Sequence, residues 1–301
     1  MLNEYALEPE ALGESWDRFR FLVSLFNVEN GRVISRFPKK WTKMVYEAAS
    51  GLSPLNRKRV EESLRHINRK LVASGRPYSG EKNWMENAIS QHEQRPFKAI
   101  IARENATGAE YIVPADDVDE NHPLLKVSRE KAVRRTAREL AAAVADILQN
   151  SKEILFLDPH FKPTRPKWIS VLREFLQAAV SGKHRVVRCE YHFQWKDEFT
   201  CDEFHRHCDR LRGDIPKGIC VRFVGWREKE DGERFHARYV LTDIGGVRFD
   251  VGLDHQVDGE NQTTDVGLLD RGLYEKRWSD LQSETAAFDF VIDMTVVGDR
   301  D

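Results

Sequence analysis

The sequence predicts a two-domain protein of mixed α+β and α/β class: a mainly helical N-terminal domain carrying a β-hairpin, then an α/β sandwich. Three observations predict it. The chain has 301 residues, about the length at which a single core stops growing. Its first hundred residues repeat apolar side chains at helical spacing and then break into two short apolar runs. From residue 152 the rhythm changes to short apolar runs alternating with helical stretches, the pattern of strands covered by helices.

In order, Ser15 is an N-cap for a helix with Phe19, Leu22, Val23 and Phe26 on one face. Helical spacing returns at Trp41, Val45 and Ala48, at Val60, Leu64, Ile67 and Leu71, and over 82–92. Residues 97–102 and 110–113 read as two strands around the turn Asn105-Ala106-Thr107-Gly108, a hairpin. Helices followed by a hairpin are compatible with a winged-helix module and with many small α+β domains. Residues 114–123 are polar and bounded by prolines, a loop. Ser128 caps a long helix through residue 150. The expected divisions are therefore a basic helical domain over 1–125, a connecting helix over 126–150 and the sandwich over 151–301. Within the last, strands are expected at 154–158, 185–191, 219–224, 239–242, 247–252 and 287–292, and helices at 167–180 and 202–211.

Composition narrows the function classes. Hydrophobic residues are 41% and charged residues 32%, a globular balance rather than a disordered or membrane-embedded one. No apolar run approaches the length of a membrane span. Four cysteines are too few for a disulfide framework, and a reducing, cytoplasmic setting is expected. The net charge of -2 hides an asymmetry. Between Arg32 and Arg76 twelve Lys/Arg stand against three acids, whereas from Asp250 onward four stand against thirteen. The first cluster, with Lys39, Lys40, Lys43, Arg57, Lys58 and Arg59 at its centre, is suited either to a nucleic-acid partner or to ordinary solvated helix faces.

The chemistry-bearing segment is His236-Ala237-Arg238, followed by Asp243. Residues two apart on a strand share a face. An imidazole beside a guanidinium makes sense where an anion lies between them, since arginine forks onto phosphate oxygens and histidine exchanges protons near neutral pH. Cys201, His205, His207 and Cys208 form a weaker cluster; a zinc site would need a further ligand from elsewhere, and a half-buried helix accounts for it as well. No metal and no cofactor are expected. Trp195, Trp226 and Trp278 are suited to base stacking or, more commonly, to a core. Arg271 and Arg277 either reach a phosphate site or pair with the nearby acids.

The spacing His236-x-Arg238-x4-Asp243 resembles the His-x-Lys-x4-Asp signature of the phospholipase D superfamily. Together with Leu157-Asp158-Pro159-His160-Phe161 and the run ending Gly252-Leu253-Asp254, it most resembles the phospholipase-D-like domain that follows the microtubule-interacting-and-trafficking module of eukaryotic proteins, and its bacterial relatives. The resemblance covers about half the chain. It implies a metal-independent phosphodiesterase or nuclease working through a phosphohistidine. His236 would be nucleophile or acid, Arg238 the phosphate clamp and Asp243 a support, with Asp158, His160 and Asp254 as pocket wall. The chain departs from the pattern in three ways: arginine replaces lysine at 238; Lys167 stands where an aspartate would complete a second motif begun by His160-Phe161-Lys162; and the usual glycine-serine run is missing. Single-motif members dimerise so that two histidines meet, so a homodimer paired at His236 is expected. The resemblance also implies action on nucleic acid, in the manner of bacterial defence against mobile DNA alongside partner proteins. The other reading it leaves open is a non-catalytic module for a phosphate, lipid head group or protein partner.

Overall fold

A computed structural model describes residues 1–182, 184–256 and 261–300. The chain divides into two units, Leu2–Ser128 and Arg129–Asp301, the latter joined by Met1.

The N-terminal unit corrects the helical expectation. It is built on a five-stranded sheet of β1 (Asn3–Leu7), β2 (Arg32–Arg36), β3 (Leu71–Ala73), β4 (Ala99–Ala102) and β5 (Ile112–Pro114), in the order β3-β2-β1-β4-β5. Every neighbouring pair is parallel. Helices α1 (Pro9–Gly13), α2 (Trp16–Ser24), α3 (Trp41–Ala48), α4 (Pro54–His66) and α5 (Trp84–Gln94) fall between the strands. The strands are buried on both faces, as parallel sheets require. Tyr5, Leu7, Ile34, Ala99 and Ile101 belong to one core, and Ala6, Ile100, Ala102 and Ile112 to the other. Buried indoles fasten the layers: Trp41 Nε1 donates to Leu7 O at 2.7 Å and Trp84 Nε1 to Phe37 O at 2.9 Å.

The expected hairpin is likewise corrected. Its two strands do pair, but in parallel, with Ile100 opposite Ile112 and Ile101 opposite Val113. The Asn105 amide donates to Ala109 O at 2.9 Å and Ile112 O at 3.0 Å. It thereby folds the connection into a loop that sends the chain back before β5 begins. There is no winged-helix arrangement in a sheet of this topology.

The C-terminal unit holds an eight-stranded sheet in the order β13-β9-β8-β7-β10-β11-β12-β6. Its strands are β6 (Glu130–Arg134), β7 (Glu153–Leu157), β8 (Arg188–Gln194), β9 (Cys220–Arg227), β10 (Tyr239–Thr242), β11 (Gly246–Phe249), β12 (Thr263–Leu268) and β13 (Asp289–Val297). β7, β8 and β9 are parallel, and the remaining pairs are antiparallel. Helices α6 (Ala137–Gln149), α7 (Pro166–Val180), α8 (Cys201–Asp209) and α9 (Arg271–Ser279) complete it. The single connecting helix expected over 126–150 is corrected here. Glu130–Arg134 is a strand that pairs with β12, and the helix starts only after Thr136, whose side chain accepts from Glu139 N.

One face of the sheet is aromatic: Phe156 stacks on Phe175 of α7 at 5.3 Å between centroids, and Phe161 on Phe223 at 5.6 Å. The other face carries Leu155, Leu157, Trp226, Tyr239 and Leu241 against Tyr274 and Leu281. Among the described residues, no helix is long and apolar enough to cross a membrane.

Candidate phosphate-binding site

The chain leaves β7 for β8 on one side, while β10 later docks on the other. Ligands of such sheets bind outside the carboxyl ends of the strands where the order reverses. Leu157 at the end of β7 pairs with Tyr239 at the start of β10. The residues after Leu157 and those before Tyr239 therefore leave the sheet side by side, and they include His160, His236 and Arg238.

The acids of this edge are structural. Asp158 is fully buried. Its carboxylate accepts from His160 N at 2.9 Å, Trp168 Nε1 at 3.1 Å and Leu253 N at 2.8 Å. Burial pushes its carboxyl above the ordinary range, against the pull of those hydrogen bonds. Asp254, also buried, pairs with Arg135 Nη2 at 2.6 Å and Lys167 Nζ at 2.8 Å, and accepts from Gln256 Nε2 at 2.8 Å. Gly252 is required between them, since a Cβ there would lie 2.1 Å from Asp254 Oδ1. The Gly252-Leu253-Asp254 run thus knots the loop after β11 to the end of β7 and to α7.

The basic side chains stand beside this knot. His160 is exposed, with Nδ1 3.5 Å from Lys196 Nζ. Partial burial, above all, holds its imidazole below the ordinary histidine value. Lys196 and Arg238 push the same way, while Asp158 and Asp254 oppose them. Arg238 is half-buried, and its Nε has no hydrogen-bond partner among the described residues. Lys162 is drawn to Glu198.

His236 is exposed, with Nδ1 3.1 Å from Arg234 O. A carbonyl can only accept, so Nδ1 carries a proton, and Nε2 has no hydrogen-bond partner among the described residues. The segment is held by Glu228, which accepts from Phe235 N at 2.8 Å, Arg234 Nη1 at 2.7 Å and Gln194 Nε2 at 3.2 Å. The Arg234 bond, chiefly, keeps that carboxyl below its ordinary range. Glu228, Gln194 and Lys196 carry no motif and are brought in only by strand register.

Asp243 is not brought to this edge. It follows the four residues of β10, roughly 13 Å away along the strand. There it accepts from Lys152 N at 2.8 Å and Glu153 N at 3.2 Å, clamping the start of β7.

The remaining sequence candidates are distributed elsewhere. Arg277 pairs with Glu233 and Asp280, and Arg271 with Glu275. His205 Nε2 lies 3.2 Å from Asp293 O, Cys208 is buried, and no metal-holding cluster of three acids, histidines or cysteines occurs among the described residues. In the N-terminal unit, Lys39, Lys40, Lys43, Lys58 and Arg59 are exposed. Lys43 pairs with Glu47 at 3.5 Å, Arg57 lies over the Tyr46 ring at 4.6 Å and Arg59 over Trp16 at 5.9 Å. Part of the local positive excess is satisfied internally: Arg32 and Arg76 are turned inward to Leu125 O and Glu4.

Sequence reasoning also passed over a buried polar row on the opposite face. Trp226 Nε1 donates to His192 Nδ1 at 2.8 Å, and His192 Nε2 lies 3.1 Å from Glu190 Oε2. An indole only donates, so His192 is neutral with its proton on Nε2, in agreement with burial lowering its pKa. Burial opposes ionisation of Glu190, but hydrogen bonds from His192 and Arg188 outweigh it and hold the carboxyl down at about 2.

Fold and edge together define an α/β protein with a cationic site outside the carboxyl ends of its parallel strands. No protein-family model matches the chain, and no curated protein does. Among solved structures it is similar to TrmBL2, an archaeal chromatin protein with a novel mode of DNA binding. The TM-score is 0.29 and the identity 13%, over 81% of this chain and 87% of that one, a likeness too low to carry an argument.

The lowered His160 value gives any anion binding at this edge an expected pH dependence. The imidazole is neutral at neutral pH and becomes charged as pH falls through its lowered value, whereas a phosphodiester keeps one negative charge throughout. Affinity for a dialkyl phosphate is therefore expected to rise between about pH 8 and about pH 5, by about 0.5–1 kcal/mol on the scale of an exposed ion pair. Titration calorimetry with wild type and His160→Gln checks it: an unchanged pH dependence in the variant removes His160 from the site.

Proposed function

We propose that the C-terminal unit is a phospholipase-D-like domain that handles a phosphodiester of nucleic acid at the carboxyl edge of β7. The observation that carries this reading is the convergence of His160, Lys196 and Arg238 on one edge, with His236 two residues before Arg238 and holding no hydrogen bond on Nε2 among the described residues. Arg238 and Lys196 hold the non-bridging oxygens. His236 Nε2 attacks phosphorus, the bond to the leaving oxygen breaks, and His160, in the protonated fraction that grows as pH falls, gives that oxygen its proton. Water then attacks the phosphohistidine, passes its proton to His160 and frees His236. The second imidazole thus comes from the same chain; in the paired arrangement a second copy's His236 supplies it.

A second reading, binding without turnover, is favoured by one observation. Asp158, Asp254 and Asp243 are all bonded elsewhere, and His236 is oriented by a carbonyl rather than a carboxylate. The test is cleavage of a labelled single-stranded oligonucleotide with and without chelator. Cleavage that persists in chelator is expected. Cleavage that vanishes in chelator places the chemistry elsewhere, and none under either condition, with diester binding intact, selects the binding module.

The exposed cations just before and on α3 and on α4 would hold the polyanion. Reversing Lys39, Lys40 and Lys43 to Glu is expected to weaken binding of all oligonucleotide sequences alike. It should also reduce the salt dependence of log K by roughly 0.7–0.9 for each phosphate no longer neutralised. Fluorescence anisotropy over a salt series reads both, and an unaltered slope rules these lysines out.

A further inference from the structure

The phosphate edge opens into a cavity larger than a phosphate needs. Its volume is about 280 Å3, just below the roughly 300–1,000 Å3 of small-ligand sites. The mouth carries the Lys196 ammonium and the His160 imidazole, with Lys162 paired to Glu198, and the walls are aromatic, through Trp168, Trp195 and Phe199, with Phe204 buried behind them. The ring planes are fixed. Trp195 Nε1 donates to Asp197 Oδ1 at 2.6 Å, and Phe204 meets Trp195 edge-on at 5.5 Å. Phe199 is only half-buried, so it is the wall best able to adjust to an occupant.

A lysine and an imidazole at the mouth and flat rings within match a heteroaromatic ring joined to a phosphate. A lipid head group or sugar phosphate would leave the rings without a planar partner. We infer that this cavity receives the base of a nucleotide whose phosphate lies against His160, Lys196 and Arg238. The inference rests on the phosphate reading of this edge and adds what that reading lacks, a subsite for the base. A base inside a duplex cannot enter such a cavity without leaving the stack, so the ligand is a single strand or a free nucleotide.

The experiment is calorimetry on the full chain with inorganic phosphate, ribose 5-phosphate and adenosine and cytidine 5′-monophosphates. The nucleotides are expected to bind roughly tenfold or more tightly than ribose 5-phosphate, the increment of one stacked base. Lys196→Ala is expected to weaken all the phosphates. Phe199→Ala is expected to lower the nucleotides toward ribose 5-phosphate, and Phe199→Leu, which keeps bulk without a ring, is expected to do the same if the alanine variant fails to fold. Equal affinity for nucleotide and ribose 5-phosphate overturns the base subsite and leaves the phosphate site standing. A preference that survives both Phe199 variants overturns it too, and no binding by any phosphate overturns both. A single-stranded tetranucleotide that binds more tightly than the mononucleotides identifies a strand as the source; equal or weaker binding identifies a free nucleotide.

Discussion

Alanine in place of His236 is expected to reduce phosphodiester cleavage by on the order of 10^4-fold while leaving the fold intact. The ring is exposed, and its one hydrogen bond among the described residues is to a carbonyl of its own segment. Its removal therefore opens no core cavity, and what disappears is the Nε2 lone pair. Arg238→Ala should act differently, weakening diester binding by about 1.5–3 kcal/mol because a charge-assisted hydrogen bond is gone. Rates with excess oligonucleotide, together with circular dichroism of each variant, separate the two. Cleavage that survives in His236→Ala rejects the assignment of the nucleophile. If wild type does not cleave and Arg238→Ala still loses the diester, the edge binds and does not turn over.

The largest effect on stability is expected at Asp254. Its carboxylate is buried between Arg135, whose side chain is 10% exposed, and Lys167, whose side chain is 42% exposed. Asp254→Ala strands the arginine in a buried setting, and removing one partner of a buried pair costs about 3–5 kcal/mol. The lysine adds little because it can turn to water. The midpoint of urea unfolding should fall with little change in slope, and Asp254→Asn should fall less because an amide oxygen still accepts from Arg135. A destabilisation below about 1 kcal/mol would mean that the knot after β11 is held by other interactions.

The C-terminal half was legible in sequence because local signals agreed there. Residues 153–157 are a bounded apolar run, and α8 begins with a capping box in which Thr200 and Glu203 satisfy each other. β6 was hidden by its composition. Glu130, Lys131, Ala132 and Arg134 favour a helix in isolation, yet β6 ends the sheet, where charges protect an edge. β1 and β2, each five residues long, carry charged or polar residues beside a short apolar run that has no period of its own. The direction in which β4 and β5 pair is set by the loop at Asn105, and neither strand encodes it. At the site, residue types at the edge were readable, but roles were not. Asp243 stands at motif spacing from His236, and the rise of an extended strand carries it to the opposite end.

The arrangement of Asp158, Gly252 and Asp254 has a consequence for how such a protein can change. Their bonds run to backbone and to neighbouring side chains below the rim, so substitutions there weaken the fold itself. The side chains of His160, Lys196 and Phe199 stand on loops, His160 beside Lys196 and Phe199 against the His207 ring. Ligand preference can therefore drift at the rim while the knot beneath stays constant. One scaffold of this kind could be retuned from one phosphate-bearing partner to another in single steps, each leaving a folded protein.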